Sequence, residues 1–130
     1  MRKLILLTLF VLASFGVSSA QEISQNSDKD MSHLAVAPKQ MNGIGRMVVN
    51  IVDENGTPVK GAFAKLDSHR TDGFFCESWA STNAFGLAAL PPIHMGKLML
   101  KVKAKGYQEQ MLEVPLDKLS DPVTVTLKKK

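Results

Sequence analysis

The strongest constraint on the fold is a strict alternation of apolar and polar side chains in several short segments. It is clearest in residues 97–104, where every second residue is apolar: Leu98, Leu100, Val102 and Ala104. Successive side chains of a β-strand point to opposite faces, so this pattern predicts a strand with one buried and one solvent-facing side. No segment shows the period of an amphipathic helix. The sequence therefore predicts an all-β fold.

Turn residues separate the alternating segments at intervals of roughly 8 to 12 residues, which is typical of β-sandwiches. Asn55-Gly56 and Asp72-Gly73 are examples, because Gly and Asn tolerate the positive φ of tight turns. Seven strands are expected, at residues 46–52, 61–67, 74–82, 87–90, 97–104, 108–114 and 123–127. We predict that they form two packed antiparallel sheets, with one helical turn between residues 115 and 121.

Residues 1–20 have the pattern of a cleavable secretory signal peptide. Arg2 and Lys3 precede an apolar run over residues 4–15, and Ser18-Ser19-Ala20 offers the small residues that a signal peptidase reads. The run is shorter than the roughly 20 apolar residues that span a bilayer, and no second run follows, so no transmembrane segment is expected. We predict a bacterial protein that is periplasmic or secreted.

Residues 21–45 are polar and aperiodic, which predicts a flexible tail before a single domain at residues 46–130. Within this tail only residues 34–37 are apolar enough to add an edge strand, and Pro38 would end it. The chain is long enough for one domain of ordinary size and too short for a second core.

The charge and the cysteine content argue against two features, a nucleic-acid partner and an intramolecular disulfide. The net charge of +4 is partly due to Arg2 and Lys3 in the signal peptide, and the other lysines are not clustered with stacking aromatic residues. A nucleic-acid partner is therefore not expected. Cys76 is the single cysteine, which excludes an intramolecular disulfide. We interpret it as a partly buried, inert thiol, with pairing between molecules left open.

Four sequence pieces occur in an order that resembles the carboxypeptidase regulatory-like domain family. They are IVDENGTPVKGA at residues 51–62, TNAFG at 82–86, LPP at 90–92 and LMLKVKAKGY at 98–107. The resemblance implies a transthyretin-like (prealbumin-like), seven-stranded Greek-key sandwich over about residues 46–127, acting as a non-catalytic module. Two departures are Asn83, where the family usually has Asp, and Ile93-His94-Met95, which lengthens the loop before Gly96.

No catalytic or metal site is predicted. One transthyretin-like branch, 5-hydroxyisourate hydrolase, ends in Tyr-Arg-Gly-Ser, whereas this chain ends in VTLKKK at residues 125–130. The Gly-x-Ser-x-Gly elbow of serine hydrolases is missing. The three histidines lack the close spacing of a zinc site, and Asp53, Asn55 and Asp72 are interpreted as turn caps rather than calcium ligands. No cofactor is expected.

The segment from Phe74 to Trp79 is the strongest candidate for a binding site. In a regular strand, Phe75, Glu77 and Trp79 share one face, and Phe74, Cys76, Ser78 and Ala80 share the other. The resemblance implies that Ala80 and Thr82 face the core, because the corresponding positions of the family do. Phe75 and Trp79 would then lie outside. Alternatively, a bulge or the N-terminal tail buries Trp79. The hypothesis is a contact surface of Phe75 and Trp79, flanked by His69 and Arg70.

These observations predict a non-catalytic, exported interaction module that binds a protein partner. The alternative is a carbohydrate-binding module that uses Trp79, since an exposed indole can stack on a sugar ring. A transthyretin-like hydrolase ranks third. An isolated exposed Trp79 among polar groups would favour a sugar, and a wider apolar patch would favour a protein.

Overall fold

The structure, a computed structural model, describes residues 31–130 and has an all-β architecture. The predicted signal peptide and the first ten residues of the predicted tail lie outside the described residues. The strands are β1 (Ile44–Gly45), β2 (Val48–Asp53), β3 (Phe63–His69), β4 (Phe75–Ser81), β5 (Leu87–Ala89), β6 (Ile93–His94), β7 (Lys97–Lys103), β8 (Gln110–Val114) and β9 (Val123–Leu127). Two short 3-10 helices cover Ser32–Leu34 and Leu116–Lys118. The described part of the chain contains no helix long and apolar enough to cross a membrane.

The strands form three sheets. A four-stranded sheet has the order β4-β3-β7-β8, a three-stranded sheet has the order β5-β2-β9, and β1 pairs with β6 in a two-stranded ladder. All pairings between neighbouring strands are antiparallel except that of β2 with β9, which is parallel. The prediction of an entirely antiparallel fold was therefore wrong at this one pairing.

The described residues contain nine strands rather than the predicted seven. Each of the seven predicted segments forms a strand, and the two additions are β1 and β6, which are two residues long. The prediction missed them because two residues are too few to display an alternating pattern. The sequence Ile93-His94-Met95, interpreted as a longer loop before Gly96, forms β6 and the residue after it.

Buried side chains from both larger sheets meet in one core. Alternation on β7 buries Leu98, Leu100 and Val102 and leaves the intervening side chains at least partly exposed. Leu66 of β3 and Ile51 of β2 belong to the same hydrophobic cluster, so the two sheets pack against each other through it. Burial of these apolar side chains is the main favourable contribution to folding, at roughly 25 cal/mol per Å² removed from water.

Backbone pairing begins before the predicted domain boundary at residue 46. Val36 and Arg46 exchange two backbone hydrogen bonds, of 2.9 and 2.7 Å. A Cβ on Gly45 would lie 2.6 Å from the Met95 sulfur and 2.9 Å from the Val36 carbonyl oxygen, so glycine allows these segments to approach. Residues 34–37, the only part of the tail predicted to add a strand, thus contribute a single bridge at Val36.

Side-chain caps hold the turns that the sequence predicted. Asp53 Oδ1 accepts hydrogen bonds from the Asn55 and Thr57 N–H groups at 2.8 and 2.9 Å. Asn83 Oδ1 accepts from the Phe85 and Leu87 N–H groups at 2.9 and 3.1 Å. Asn can replace Asp here because an amide oxygen accepts the same two bonds. These side chains are engaged in turn formation.

Candidate binding surface on strand β4

Strand β4 is an edge strand of the four-stranded sheet. Among residues 31–130 it pairs with β3 alone, in a continuous register from His69 opposite Phe75 to Phe63 opposite Ser81. No residue is skipped on either strand, so the register contains no bulge. The alternation expected for a regular strand therefore applies to all seven residues.

The hydrogen-bonding pattern defines which backbone groups of β4 point away from the sheet. The Arg70 N–H donates to the Phe74 carbonyl at 2.9 Å, just before the first rung of the ladder. Hydrogen-bonded pairs alternate with non-bonded pairs in an antiparallel ladder, so the even-numbered residues of β4 bond to β3. The N–H and C=O groups that point outward belong to Phe75, Glu77, Trp79 and Ser81.

The side chains of the same odd-numbered residues project from the outer face of the sheet. Trp79 is 55% exposed and Phe75 is 46% exposed. On the opposite face Ser78 is buried, and its hydroxyl donates to the Pro91 carbonyl at 2.8 Å. This hydrogen bond from a buried side chain stabilises that orientation of β4. Of the two orientations that the sequence left open, the structure has the one with Trp79 outside.

Charged side chains lie beside these two aromatic residues, and one lysine contacts two carboxylates. Lys65, opposite Trp79 on β3, has its Nζ 3.1 Å from Glu77 Oε2 and 3.5 Å from Asp67 Oδ1. The hydrogen bond to Glu77 and the nearby Asp67 charge raise the pKa of the Lys65 ammonium above its ordinary value of 10.5. Glu77, which separates Phe75 from Trp79, is thus paired within the sheet.

The structure brings His69 beside Phe75 and places the Arg70 guanidinium over Phe74 at the β3–β4 turn. The His69 and Phe75 rings lie 5.0 Å apart between centroids. The Arg70 guanidinium forms an ion pair with Asp72 at 2.6 Å and lies 5.4 Å from the Phe74 ring centroid. Its side chain is only 22% exposed. Arg70 therefore stabilises the β3–β4 turn, and its guanidinium is already engaged there.

Phe74, the residue before β4, is exposed, contrary to its predicted orientation. The alternation put it on the buried face, but β4 begins at Phe75, and Phe74 lies in the turn with 57% of its surface exposed. Its N–H donates to Asp72 Oδ1 at 3.1 Å. The Asp72-Gly73 turn signal could have identified it, because a residue just after a turn need not follow the strand's alternation.

A buried serine fixes the end of β3 that carries His69. The Ser68 hydroxyl donates to the His94 carbonyl at 2.9 Å and accepts from the Gly96 N–H at 2.7 Å. Both backbone groups belong to the β6–β7 segment, so this hydroxyl ties the tip of the β3–β4 hairpin to its neighbours. Because the Ser68 hydroxyl is buried and both of its hydrogen bonds are made, a single orientation of the strand end is favoured.

A separate groove lies between residues 36–44 and β6. Its volume is about 540 Å³, and His94 is the one histidine in its lining. His94 Nδ1 lies 3.3 Å from the Asn42 carbonyl oxygen. No group of three potential metal ligands occurs among residues 31–130. The groove thus lacks the cluster of reactive side chains that would distinguish it from an ordinary surface cleft.

Three exposed aromatic side chains, Phe74, Phe75 and Trp79, therefore mark the candidate surface, and the strand edge beside it has no partner strand within residues 31–130. Comparison of the sequence with protein-family models and with curated proteins gives no match.

Proposed function

We propose that this chain is an exported, non-catalytic interaction module that binds a protein partner through the outer face of β4. The observation that carries the proposal is the exposure of Phe75 and Trp79 on a strand whose outer backbone groups have no neighbour among the described residues. Aromatic side chains are enriched at binding hot spots, and an open edge can accept an additional strand. Together they offer apolar contact area and directional hydrogen bonds.

The size of the apolar surface favours a protein over a carbohydrate. Phe74, next to Phe75 in the chain, is also exposed and adds a third aromatic side chain at this end of β4. The polar groups beside Trp79, by contrast, are already engaged, because Lys65 pairs with Glu77. A sugar site requires free donors and acceptors around the stacking ring. Carbohydrate binding through Trp79 remains the second candidate, since a single exposed indole is sufficient for stacking.

We further infer a seven-stranded Greek-key sandwich of the carboxypeptidase regulatory-like type for residues 46–127. The order of the seven longer strands, divided between sheets of four and three, is compatible with this topology. The additional β1–β6 ladder contains Ile93-His94, at the point where the sequence departs from the family pattern. Fold-level likeness does not supply a ligand, so the functional proposal depends on β4.

Site-specific photo-crosslinking in the native host would test the proposal. A photoreactive phenylalanine analogue at Phe75 is expected to capture one discrete protein, and the same analogue at Thr126 is not. Thr126 is the matched control because it is an exposed position on β9, in the other sheet. Adding Trp79→Ser should abolish the adduct, because it removes the largest apolar contact of the surface.

Two results would contradict a protein partner. One is the same adducts, or none, from positions 75 and 126. The other is protection of Trp79 from acrylamide quenching by a member of a glycan panel, which would favour the carbohydrate interpretation instead.

A further inference from the structure

We infer that Asn55 is a site of spontaneous deamidation in the folded protein, and that the fold protects the other Asn-Gly pair of the chain from the same reaction. The two pairs are Asn42-Gly43 and Asn55-Gly56. The inference is independent of the proposed function, because it concerns the chemistry of two turns and involves no partner. It identifies a covalent modification that changes the charge of one turn.

Asparagine followed by glycine is prone to deamidation because glycine has no side chain to obstruct the approach of its own nitrogen. The deprotonated glycine nitrogen attacks the asparagine Cγ, the bond from Cγ to Nδ2 breaks, and ammonia leaves. The product is a cyclic succinimide. Water then opens the ring at either carbonyl, which gives aspartate or isoaspartate. The net reaction is hydrolysis of the amide, so no oxidant or cofactor is required.

The two pairs lie in turns with the same kind of backbone hydrogen bond. The Gly56 N–H donates to the Asp53 carbonyl at 3.0 Å, and the Gly43 N–H donates to the Gln40 carbonyl at 2.9 Å. Each glycine nitrogen must therefore give up one hydrogen bond before it can attack. Because this step is alike in the two turns, a difference in reactivity depends on the asparagine side chain and its surroundings.

Asn42 is held by tertiary contacts. Its Nδ2 donates to Thr71 Oγ1 at 2.7 Å, and its Oδ1 accepts from the Thr71 N–H at 3.3 Å. The next residue is also engaged, because the Gly43 carbonyl accepts from the Met95 N–H at 2.9 Å. Both bonds to Thr71 must break before the Asn42 Cγ can turn towards the Gly43 nitrogen.

Asn55 lacks such contacts. Its side-chain amide makes no hydrogen bond to another residue within the described range 31–130, and both Asn55 and Gly56 are exposed. A Cβ on Gly56 would meet no atom within 4 Å, so there is open space beside the reacting groups. Of the two residues predicted to cap this turn, Asp53 does so with its side chain. The Asn55 amide is left free to rotate.

Deamidation changes the turn in two ways. A carboxylate at position 55 adds a negative charge close to Asp53 and Glu54. Isoaspartate also routes the main chain through its Cβ, which lengthens the turn between Asp53 and Thr57. That turn is closed by a 2.9 Å hydrogen bond from the Asp53 N–H to the Thr57 carbonyl. Isoaspartate at position 55 is therefore expected to disrupt the capped turn.

Peptide mapping of the incubated protein tests the inference. The purified chain is held at mildly alkaline pH, digested with trypsin and analysed by mass spectrometry, with a zero-time sample as the reference. Trypsin places the two pairs on separate peptides, residues 40–46 and 47–60. Because two additional hydrogen bonds protect Asn42, we expect Asn55 to deamidate about tenfold faster in the folded protein. In guanidinium chloride the two rates should be alike, since unfolding removes the protection.

Thr71→Val is the matched variant. Valine has the shape of threonine but cannot accept the bond from Asn42 Nδ2, so the Asn42 rate should rise several-fold while the Asn55 rate stays unchanged. Thr126→Val makes the same replacement at an exposed position on β9 and should alter neither rate. Circular dichroism checks that both variants fold.

Three results would overturn the inference. They are similar rates at the two pairs in the folded protein, an Asn42 rate that Thr71→Val leaves unchanged, and deamidation confined to the unfolded chain. None of them bears on the photo-crosslinking test of the proposed function.

Discussion

Leu66→Ala is expected to lower the free energy of unfolding by about 2 to 5 kcal/mol, the range for removing a fully buried leucine. Leu66 lies at the middle of β3, where its neighbours in the register are Ser78 on β4 and Leu100 on β7. Its side chain is completely buried in the shared core. Truncation removes apolar contacts with both sheets and leaves a cavity that the flanking strands cannot close. Urea unfolding followed by circular dichroism measures the loss.

The control for Leu66→Ala is Trp79→Ala, which removes a larger side chain from the opposite face of the same sheet. Because Trp79 is more than half exposed, its removal should cost less than about 1 kcal/mol. An equal or greater loss for Trp79→Ala would contradict the assignment of Leu66 to the core and Trp79 to the surface.

Gly96→Ala is expected to cost about 3 kcal/mol, or to prevent folding, because the added Cβ has no space. It would lie 2.2 Å from the His69 carbonyl oxygen and 2.6 Å from the Arg70 Cα. Both are backbone atoms, so relief requires moving the end of β3. Overpacking of this kind costs roughly 1 to 3 kcal/mol. The movement also stretches the buried bond from the Gly96 N–H to Ser68. Thermal unfolding of the wild type and of Gly96→Ala measures this difference in stability.

Gly106→Ala separates steric conflict from backbone conformation. Gly106 has a φ of +84°, and a Cβ there would meet nothing within 4 Å. Alanine should therefore cost about 1 to 2 kcal/mol, the penalty of the left-handed conformation alone. A greater loss for Gly106→Ala than for Gly96→Ala would show that Gly96 is not packed as described.

Period-two alternation was sufficient to predict the longer strands, because the apolar side chains that form their buried face recur at every second residue. Strand β7 is the clearest case, with its even-numbered residues in the core. The parallel pairing of β2 with β9 could not be predicted in this way, since alternation defines the face of a strand and not its neighbour. Strand β1 contains Gly45, and its pairing with β6 depends on a close approach between segments distant in sequence.

The candidate surface was predictable only where the strand is regular. The alternation placed Phe75 and Trp79 on one face, but a bulge would have reversed the arrangement, and the hydrogen bond that anchors Ser78 to Pro91 has no local signal. Arg70 lies beside Phe74 at the β3–β4 turn. Its ion pair with Asp72 spans a turn, and the geometry of that turn decides the direction of the guanidinium. The geometry of the same turn also accounts for the exposure of Phe74.

Acrylamide quenching of the intrinsic fluorescence tests the central claim most directly, because Trp79 is the single tryptophan of the chain. The measurement uses dilute protein without residues 1–20, with the urea-unfolded chain as the reference. We expect a red-shifted emission that acrylamide quenches nearly as well as in the unfolded reference, as for an indole on an open strand edge. A blue-shifted emission that acrylamide barely quenches would place Trp79 in the core and contradict the binding surface on β4.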